Sequence, residues 1–196
     1  MRNENTRNAK KTRALFVGRF QPFHNGHLSV VRSLLGKQNG GRALFDEVIL
    51  VVGSAEESTS FDNPFTAGER IEMIRSCFSE NQSDHVNELP RIVVVPIRDI
   101  NNNSLWVSHV ISHVPKFKTV YSNNWLVKYL FSRANAGINV SKITFFDRKN
   151  CEGKKIRKMM ASGKNQWKKY VPKQVADFIE SIGGVERMAN ITLRAR

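Results

Sequence analysis

Two histidines and an arginine follow the first apolar segment of the chain, and their types suit the binding of phosphate. The stretch runs from Gly18 to His27 and also contains Arg19 and His24. Gly18 allows a ligand to approach the backbone closely, and a helix that starts here presents free N–H groups and a positive dipole end. His24 and His27 are three residues apart, so both can project to one side of the helix start. We interpret this stretch as a phosphate-binding turn with two imidazole donors.

Two other interpretations of these histidines are open. Paired histidines can bind a metal ion, but a third ligand at a fixed spacing is missing, and neither Cys77 nor Cys151 is placed to help. We therefore assign no residue as a metal ligand. A purely structural role is the weaker interpretation for two histidines that flank Gly26 beside an arginine. The stretch is not a P-loop, because no Gly-Lys-Ser/Thr follows it.

Strands and helices are predicted to alternate along the chain. Continuous apolar runs predict five buried strands, at residues 14–18, 48–53, 92–97, 119–122 and 143–146. Thr66 and Glu69 form a capping box at the start of one intervening helix. Pro172 opens a last helix, which ends at Ile182 before two glycines. The pattern predicts the α/β class: a Rossmann-like, doubly wound parallel sheet in a single domain.

Polar and small residues stand where the predicted strands end. Gly18, Gly53, Asp99, Ser122 and the stretch after Phe146 are all in such positions. In a parallel sheet, ligands bind at the carboxyl ends of the strands, near the point where the strand order reverses. We therefore expect the functional side chains to lie at this edge of the sheet.

The composition excludes some classes of protein and favours anionic ligands. Of 196 residues, 31 are Lys or Arg and 17 are Asp or Glu, which gives a net charge of +14. A hydrophobic fraction of 40% excludes a disordered chain, and no apolar run reaches the ~18–20 residues of a membrane span. Two cysteines without a C-x-x-C spacing favour a reducing, cytoplasmic setting. The charge predicts affinity for polyanions such as phosphorylated molecules, and residues 1–12 are expected to form a basic flexible arm.

The segments described above resemble a known family. The stretch from Gly18 to His27 is similar to the H-x-G-H signature of the nucleotidyltransferase superfamily, and the closest match is to archaeal-type nicotinamide-nucleotide adenylyltransferases. The similarity includes the run N-P-F-T-A-G-E-R from Asn63 to Arg70, the block from Asp99 to Trp106, and the segments 153–157 and 184–187. It covers residues 13 to about 190, and it implies one nucleotidyltransferase domain over residues 13–196.

The resemblance implies a reaction of NAD biosynthesis. Such enzymes transfer AMP from ATP to nicotinamide mononucleotide, giving NAD and pyrophosphate, with Mg²⁺ accompanying ATP. It implies that His24 and His27 hold the ATP phosphates and that Arg157 meets the β- and γ-phosphates. The resemblance alone implies a homo-oligomer, because members of the family often form hexamers. The alternatives are adenylylation of pantetheine phosphate or a flavin nucleotide, or nucleic-acid binding on an inactive fold, which we do not expect.

The resemblance also implies roles for residues at the strand ends. Trp106 stacks on the nicotinamide ring, and Asp99, Ile100 and Asn103 hold its carboxamide. The remaining residues assigned to ligand binding are Gly18, Arg19, Phe20, Ser54, Ser122, Asn123 and Lys154.

Two departures from the family pattern concern ATP binding. The family's Ser-Gly-Thr is here Glu152-Gly153-Lys154, so the hydroxyls that would touch phosphate are replaced, and Lys154 could supply charge instead. The family's Ser-Gly-Asn is here Ser122-Asn123-Asn124, and Asn tolerates the left-handed backbone better than most residues.

Overall fold

A parallel sheet of five strands forms the centre of the protein. This computed structural model describes residues 11–36, 43–79, 88–143 and 151–194. The strands are β1 (Arg13–Gly18), β2 (Glu47–Val52), β3 (Ile92–Pro96), β4 (Thr119–Tyr121) and β5 (Asn139–Ser141). They lie in the order β3-β2-β1-β4-β5, and every neighbouring pair is parallel. The α/β prediction is confirmed, and the strand order reverses between β1 and β4.

Helices cover both faces of the sheet. They are α1 (Asn25–Leu35), α2 (Ala67–Ser76), α3 (Asn103–His113), α4 (Trp125–Arg133), α5 (Gly153–Ala161), α6 (Lys173–Ser181) and α7 (Gly184–Arg194). The buried residues of α3 and α4 belong to one apolar core, whereas those of α1, α2, α5, α6 and α7 belong to the other. Short 3₁₀ helices span Leu89–Arg91 and Asn165–Tyr170. No helix among the described residues is both long and apolar enough to cross a membrane.

Beyond their first residues, the central strands β1 and β2 are apolar because each contributes to both cores. In β2, Val48, Leu50 and Val52 face the core of α1 and α2, while Ile49 and Val51 face the core of α3 and α4. All six residues of β2 are buried. The sequence of a strand that is buried on both faces is therefore a continuous apolar run and does not alternate between apolar and polar residues.

The C-terminal helix α7 was missed by the sequence analysis. We ended the last helix at Ile182, and this was wrong: Gly183, with φ of 64°, ends α6, and α7 starts at the next residue. The two glycines thus form a turn between two helices rather than an end. Arg187 of α7 donates to both carboxylate oxygens of Glu69 on α2, at 2.7 and 2.8 Å. This bidentate ion pair ties α7 to the N-terminal turn of α2.

Two predicted boundaries fall partly on residues that the structure does not describe. The strand expected at 143–146 lies outside the described residues except for Ile143, and β5 comes earlier, as a short edge strand of mainly polar residues. Of the expected arm, residues 1–10 are also outside the description, whereas Lys11 and Thr12 contact the start of β2. Thr12 donates to the Asp46 carboxylate through its backbone N–H, at 2.7 Å, and Lys11 pairs with Glu47.

We expect Gly184→Ala to destabilise the fold by about 1–3 kcal/mol, because an added methyl group overpacks a close contact. A Cβ at Gly184 would lie 2.9 Å from Ile179 Cγ2 and 3.0 Å from Phe65 Cε1. Gly68→Ala is the matched control: it is exposed on α2, and alanine there should stabilise by about 0.5–1 kcal/mol. Urea denaturation of both variants measures the changes. Equal stability of the two variants would contradict the close packing of α7.

Candidate active site

A cavity of about 490 Å³ opens at the carboxyl ends of β1, β2 and β4. This is the place that the strand order predicts for a ligand, next to the reversal between β1 and β4. Many of the residues proposed from the sequence line it: Gly18, Arg19, His27, Ser54, Asp99, Asn103, Trp106, Ser122 and Asn123. The chain thus brings together residues from five separate segments at one edge of the sheet.

His24 and His27 form the N-terminal cap of α1. His24 is the N-cap residue, and its Nδ1 accepts the backbone N–H of His27 at 3.3 Å, while the Nδ1 of His27 accepts the backbone N–H of His24 at 3.3 Å. The two rings stack with centroids 3.5 Å apart and planes inclined by 17°. A capping box is usually made by Ser or Thr with Glu or Gln. Here two imidazoles make the same pair of bonds.

The reciprocal bonds determine which ring nitrogen carries the proton. Both Nδ1 atoms are acceptors, so each neutral ring has its proton on Nε2. Burial lowers the pKa of His24 to about 4, and burial together with the nearby charge of His24 lowers the pKa of His27 well below its ordinary value. At neutral pH the pair therefore offers two neutral N–H donors. No hydrogen bond within the described residues uses either Nε2.

Gly26 is required because the His24 ring lies against it. A Cβ at this position would be 3.1 Å from both Cε1 and Nδ1 of His24 and 3.1 Å from the Cβ of Cys151. Any side chain would push the ring away from its cap position or move the segment before α5. The glycine of the H-x-G-H pattern is thus explained by packing.

Aromatic rings surround His27. Its ring centroid lies 4.9 Å from that of Phe20, 5.5 Å from Phe23 and 5.8 Å from Phe16. Phe20 reaches this position because its backbone is left-handed, with φ of 53°, a conformation that costs energy for a non-glycine residue. Phe20 is buried behind the cavity rather than exposed to it. The ring packs against that of His27, and the assignment of Phe20 to ligand binding stays a prediction.

Arg70 is fully buried and holds three segments at the cavity. Its Nη1 donates to the carbonyl oxygens of Arg19 and Gly53 at 3.0 and 2.8 Å, and its Nη2 donates to that of Ser54 at 3.0 Å. Its Nε donates to the carbonyl oxygen of Thr66 at 3.2 Å. Burial lowers the pKa of Arg70 to about 10, so the group remains charged at neutral pH. The loops after β1 and β2 are thereby joined to the start of α2.

The Gln21 side chain also connects the loop after β1 to the segment before α2. Its amide nitrogen donates to the carbonyl oxygen of Phe65 at 2.8 Å, and its Oε1 accepts the N–H of Phe65 at 3.0 Å. The side chain therefore pairs with a backbone unit as a neighbouring strand would. Thr66 and Glu69, the predicted capping box of α2, follow directly and form both expected bonds.

Arg157 is buried beside the cavity rather than exposed within it. Its Nη1 donates to the carbonyl oxygen of Gln21 at 2.9 Å, and its Nη2 donates to the Asp62 carboxylate at 2.7 Å. The guanidinium also lies 5.7 Å from the centre of the Phe61 ring. Gly153 makes room for it, since a Cβ there would be 3.1 Å from Arg157 Nη1. The resemblance implies that this side chain meets the β- and γ-phosphates, and in the structure it is bonded to Asp62.

Ser54 and Asp99 form a polar pair at the other end of the cavity. The Ser54 hydroxyl donates to Asp99 Oδ2 at 2.6 Å, and the backbone N–H of Asp99 donates to the Glu56 carboxylate at 3.0 Å. Ser54 is left-handed, with φ of 47°, which turns its side chain away from the strand direction. The pair leaves Asp99 Oδ1 for a ligand, because no described hydrogen bond uses it.

Trp106 lines the cavity from the first turn of α3 and packs edge-on against Phe131 of α4, with ring centroids 5.9 Å apart. The opposite wall is apolar and comes from α4, through Leu126, Val127 and Leu130. The cavity therefore has a polar end at the strand termini and flat apolar surfaces between α3 and α4.

Five predicted residues do not line the cavity, and two of them, Phe20 and His24, are buried. Ile100 is half-buried outside it, Lys154 is exposed in the first turn of α5, and Arg157 lies behind Asp62. The sequence analysis in turn gave no role to Gln21, Asp62 or Arg70. For Arg70 the signal was its place in the run N-P-F-T-A-G-E-R, but a buried cation cannot be distinguished from a solvated one by sequence.

The sequence is similar to a known protein family and to proteins of known name. Residues 15–159 match the model of the cytidylyltransferase-like family. A nicotinamide-nucleotide adenylyltransferase of Archaeoglobus fulgidus is 44% identical over 182 residues, which cover 93% of this chain and 98% of that protein. A protein of the same name from Ignicoccus hospitalis is 42% identical over 182 residues, which cover 93% of this chain and 99% of that protein.

A solved structure shares the fold at lower sequence similarity. A bifunctional NMN adenylyltransferase/ADP ribose pyrophosphatase from Francisella tularensis, complexed with AMP and a manganese ion, aligns with a TM-score of 0.65 and 20% identity. The alignment covers 93% of this chain and 52% of that chain, so this chain spans about half of the bifunctional protein. At this identity the likeness concerns the fold alone.

We expect the free energy of unfolding to fall as the pH drops below about 6.5. Burial lowers the pKa of His24 to about 4 and that of His27 well below 6.5. Below pH 6.5 the unfolded chain therefore binds more protons than the folded protein does. Stability from the neutral rings is fully present above pH 6.5 and is lost progressively as the pH falls from there to the folded pKa values. Urea denaturation at about pH 7 and about pH 5.5, above the carboxylate range, measures this loss.

The double variant His24→Gln, His27→Gln is the control for that measurement. Glutamine keeps an acceptor and a donor but does not titrate. Its stability should change less between the two pH values than that of the unmodified protein. The same pH dependence in both proteins would show that other groups cause it.

Proposed function

The chain belongs to the nicotinamide-nucleotide adenylyltransferases of the cytidylyltransferase-like family, and from that premise we propose how its cavity performs the transfer. It is a nucleotidyltransferase enzyme of NAD biosynthesis, and we propose that it joins ATP and nicotinamide mononucleotide within this cavity. The observation that carries the proposal is the pair of neutral Nε2–H donors on His24 and His27, of which His27 lines the cavity together with Arg19.

The reaction requires positioning more than acid–base chemistry. A phosphate oxygen of the mononucleotide attacks the α-phosphorus of ATP in line, and the bond to the β-phosphate oxygen breaks with its electrons remaining on pyrophosphate. A nucleotide phosphate has a second pKa near ~6, so it is already largely an anion at neutral pH. The enzyme therefore has no need of a general base or a covalent nucleophile, and its task is to hold both reactants and stabilise charge.

Neutral and charged donors divide that task. The Nε2–H groups of His24 and His27 would donate to ATP phosphate oxygens, and the pair carries no charge that must be balanced when the site is empty. Arg19, which lines the cavity, would supply positive charge next to them. Arg157 would meet the β- and γ-phosphates, which requires that it exchange its bond to Asp62 for bonds to phosphate.

The mononucleotide would take the end of the cavity that holds Trp106 and Asp99. Its nicotinamide ring is cationic, and an aromatic face attracts a cation. The carboxamide NH₂ is a donor, and Asp99 offers an acceptor that is held in place by Ser54. Asn103 lines the same end and could accept or donate to the amide. The apolar wall of α4 remains for the adenine ring of ATP.

We propose that Mg²⁺ accompanies ATP rather than occupying a ready-made site on the protein. Within the described ranges, no three His, Cys, Asp or Glu side chains gather into a group that could hold a metal. Mg²⁺ often keeps several waters and binds through substrate phosphates, so this set of residues is compatible with a cation delivered by ATP. When bound, it would neutralise phosphate charge. A homo-oligomer and a cytoplasmic location stay predictions.

The proposal is tested by an activity assay with ATP and a panel of acceptors. Nicotinamide mononucleotide, its acid form, pantetheine phosphate and flavin mononucleotide are each supplied with Mg²⁺, and pyrophosphate release is measured. We expect release with nicotinamide mononucleotide and formation of NAD. Turnover of pantetheine phosphate or the flavin nucleotide alone would overturn the proposal, and a lack of turnover with any acceptor would favour an inactive fold.

Replacing Trp106 by alanine should weaken mononucleotide use selectively. We expect the KM for nicotinamide mononucleotide to rise about tenfold, since cation–π attraction in a desolvated site is lost, while the KM for ATP changes less than about twofold. Trp125→Ala is the matched control, because Trp125 is 71% exposed and does not line the cavity. Equal losses for both substrates would indicate that Trp106 only fills space next to Phe131.

Lys154 is expected to assist ATP binding as a point charge at the start of α5. Lys154→Ala should raise the KM for ATP about threefold and leave that for the mononucleotide unchanged, as one exposed cation contributes modestly. Lys158→Ala serves as the control, since Lys158 is exposed one turn further along the same helix. Steady-state kinetics measure both constants. If Lys158→Ala has the same effect, the cause is general positive charge rather than the position of Lys154.

A further inference from the structure

Arg157 and Asp62 form an ion pair between unequal partners. The Arg157 side chain is 4% exposed and that of Asp62 is 62% exposed, with 2.7 Å between Nη2 and Oδ1. Arg157 is fixed from below by its bond to the carbonyl oxygen of Gln21. Asp62 has no second hydrogen bond within the described residues. One partner of the pair is therefore held rigidly, and the other can move into water.

Asp62 leaves one hydrogen-bond donor of the Arg157 guanidinium without a partner among the described residues. Its Nε is buried and has no hydrogen-bond partner among the described residues, although it lies on the same side of the group as Nη2. An anion that binds an arginine bidentately can use the Nε and Nη2 edge, and a phosphate has enough oxygens to do so. Asp62 uses only one position of that edge. A buried donor without a partner is energetically costly, so a better-fitting anion would be favoured here.

The surroundings of this edge are positively charged. Burial lowers the pKa of Arg157 most, the positive charge of Arg19 lowers it further, and Asp62 raises it. Arg19 also opposes the charge of Arg70, whose guanidinium bonds only to carbonyl oxygens in the described structure. Arg19 thus acts on both other guanidiniums. Glu152 raises the pKa of Arg157, and Glu56 and Glu69 raise that of Arg70, but none of the three is bonded to Arg157 within the described residues, where its one bonded carboxylate is the exposed Asp62. The cluster fits an anion with more charge than one carboxylate.

We propose that Asp62 is an internal competitor for phosphate: in the free enzyme its carboxylate occupies the edge of Arg157 that the β- and γ-phosphates of ATP take on binding. This inference rests on the proposed function, which puts those phosphates at Arg157. ATP must displace the carboxylate, so its affinity is lower than the cationic cluster alone would give. After transfer, the carboxylate returns to Arg157 and helps pyrophosphate to leave.

The test compares Asp62→Asn with the unmodified enzyme. Asparagine has nearly the same shape but no charge, so it competes poorly for a guanidinium. Calorimetric titration with ATP and Mg²⁺ should show affinity increased about threefold to tenfold, and pyrophosphate should inhibit at correspondingly lower concentration. In steady-state assays the KM for ATP should fall, while the KM for the mononucleotide should stay the same.

Asp177→Asn is the matched control. Asp177 is 58% exposed and pairs with Lys173 at 2.6 Å on α6, which contributes no residue to the cavity. It should change neither ATP affinity nor the inhibition by pyrophosphate. In an Arg157→Ala background, Asp62→Asn should also have no effect on ATP affinity, because the contested edge is gone.

The outcomes separate this inference from the function on which it rests. If Asp62→Asn weakens ATP binding or lowers kcat without changing the KM for ATP, Asp62 supports Arg157 or the metal, and the competitor role is wrong. If Arg157→Ala binds ATP as well as the unmodified enzyme, the placement of the phosphates at Arg157 is wrong. Thermal denaturation of each variant establishes that the fold is retained in these comparisons.

Discussion

The cavity depends on one buried guanidinium, that of Arg70, which joins the loops after β1 and β2 to the start of α2. The loops after β1 and β2 present backbone carbonyl groups to α2, and Arg70 donates hydrogen bonds to carbonyl oxygens of both loops. A carboxylate could not do this, because carbonyl oxygens need donors. Lysine has three donors on one atom and lacks the planar fork that reaches separate loops. The position therefore requires arginine.

Around this frame, neutral donors stand close to charged ones. His24 and His27 are kept neutral by burial, whereas Arg19 and Arg157 carry charge at the sides. Neutral donors can be packed in van der Waals contact with each other, as the stacked rings are, without the repulsion that two cations would suffer. The site can therefore be dense in donors and still stable when no ligand is bound.

The sequence predicted β1 to β4, the cavity edge and the N-cap of α2, because these depend on local patterns: apolar runs, a glycine after a strand, and the Thr66–Glu69 spacing. It did not predict β5, whose residues are mainly polar. It could not predict which cations are buried. Arg70 and Arg157 are indistinguishable from solvated arginines until the loops that cover them are placed. Helix α7 was missed because a pair of glycines can either end a helix or turn between two. The carboxylate at Arg157 was missed because the two residues are far apart in the chain.

The histidine cap of α1 joins the start of a helix to the residues that would carry out the chemistry, and this limits how such a protein can change. A descendant that no longer performed the reaction would still need α1 to begin at the same place. Replacing either histidine would remove a cap of α1 as well as a donor. An inactive lineage would therefore retain only those replacements that make the same two reciprocal bonds. Serine at position 24 with glutamate at position 27 is the simplest such pair. An inactive relative should thus be recognisable by an ordinary capping box, beside an unchanged Gly26 that no longer has a ring to accommodate.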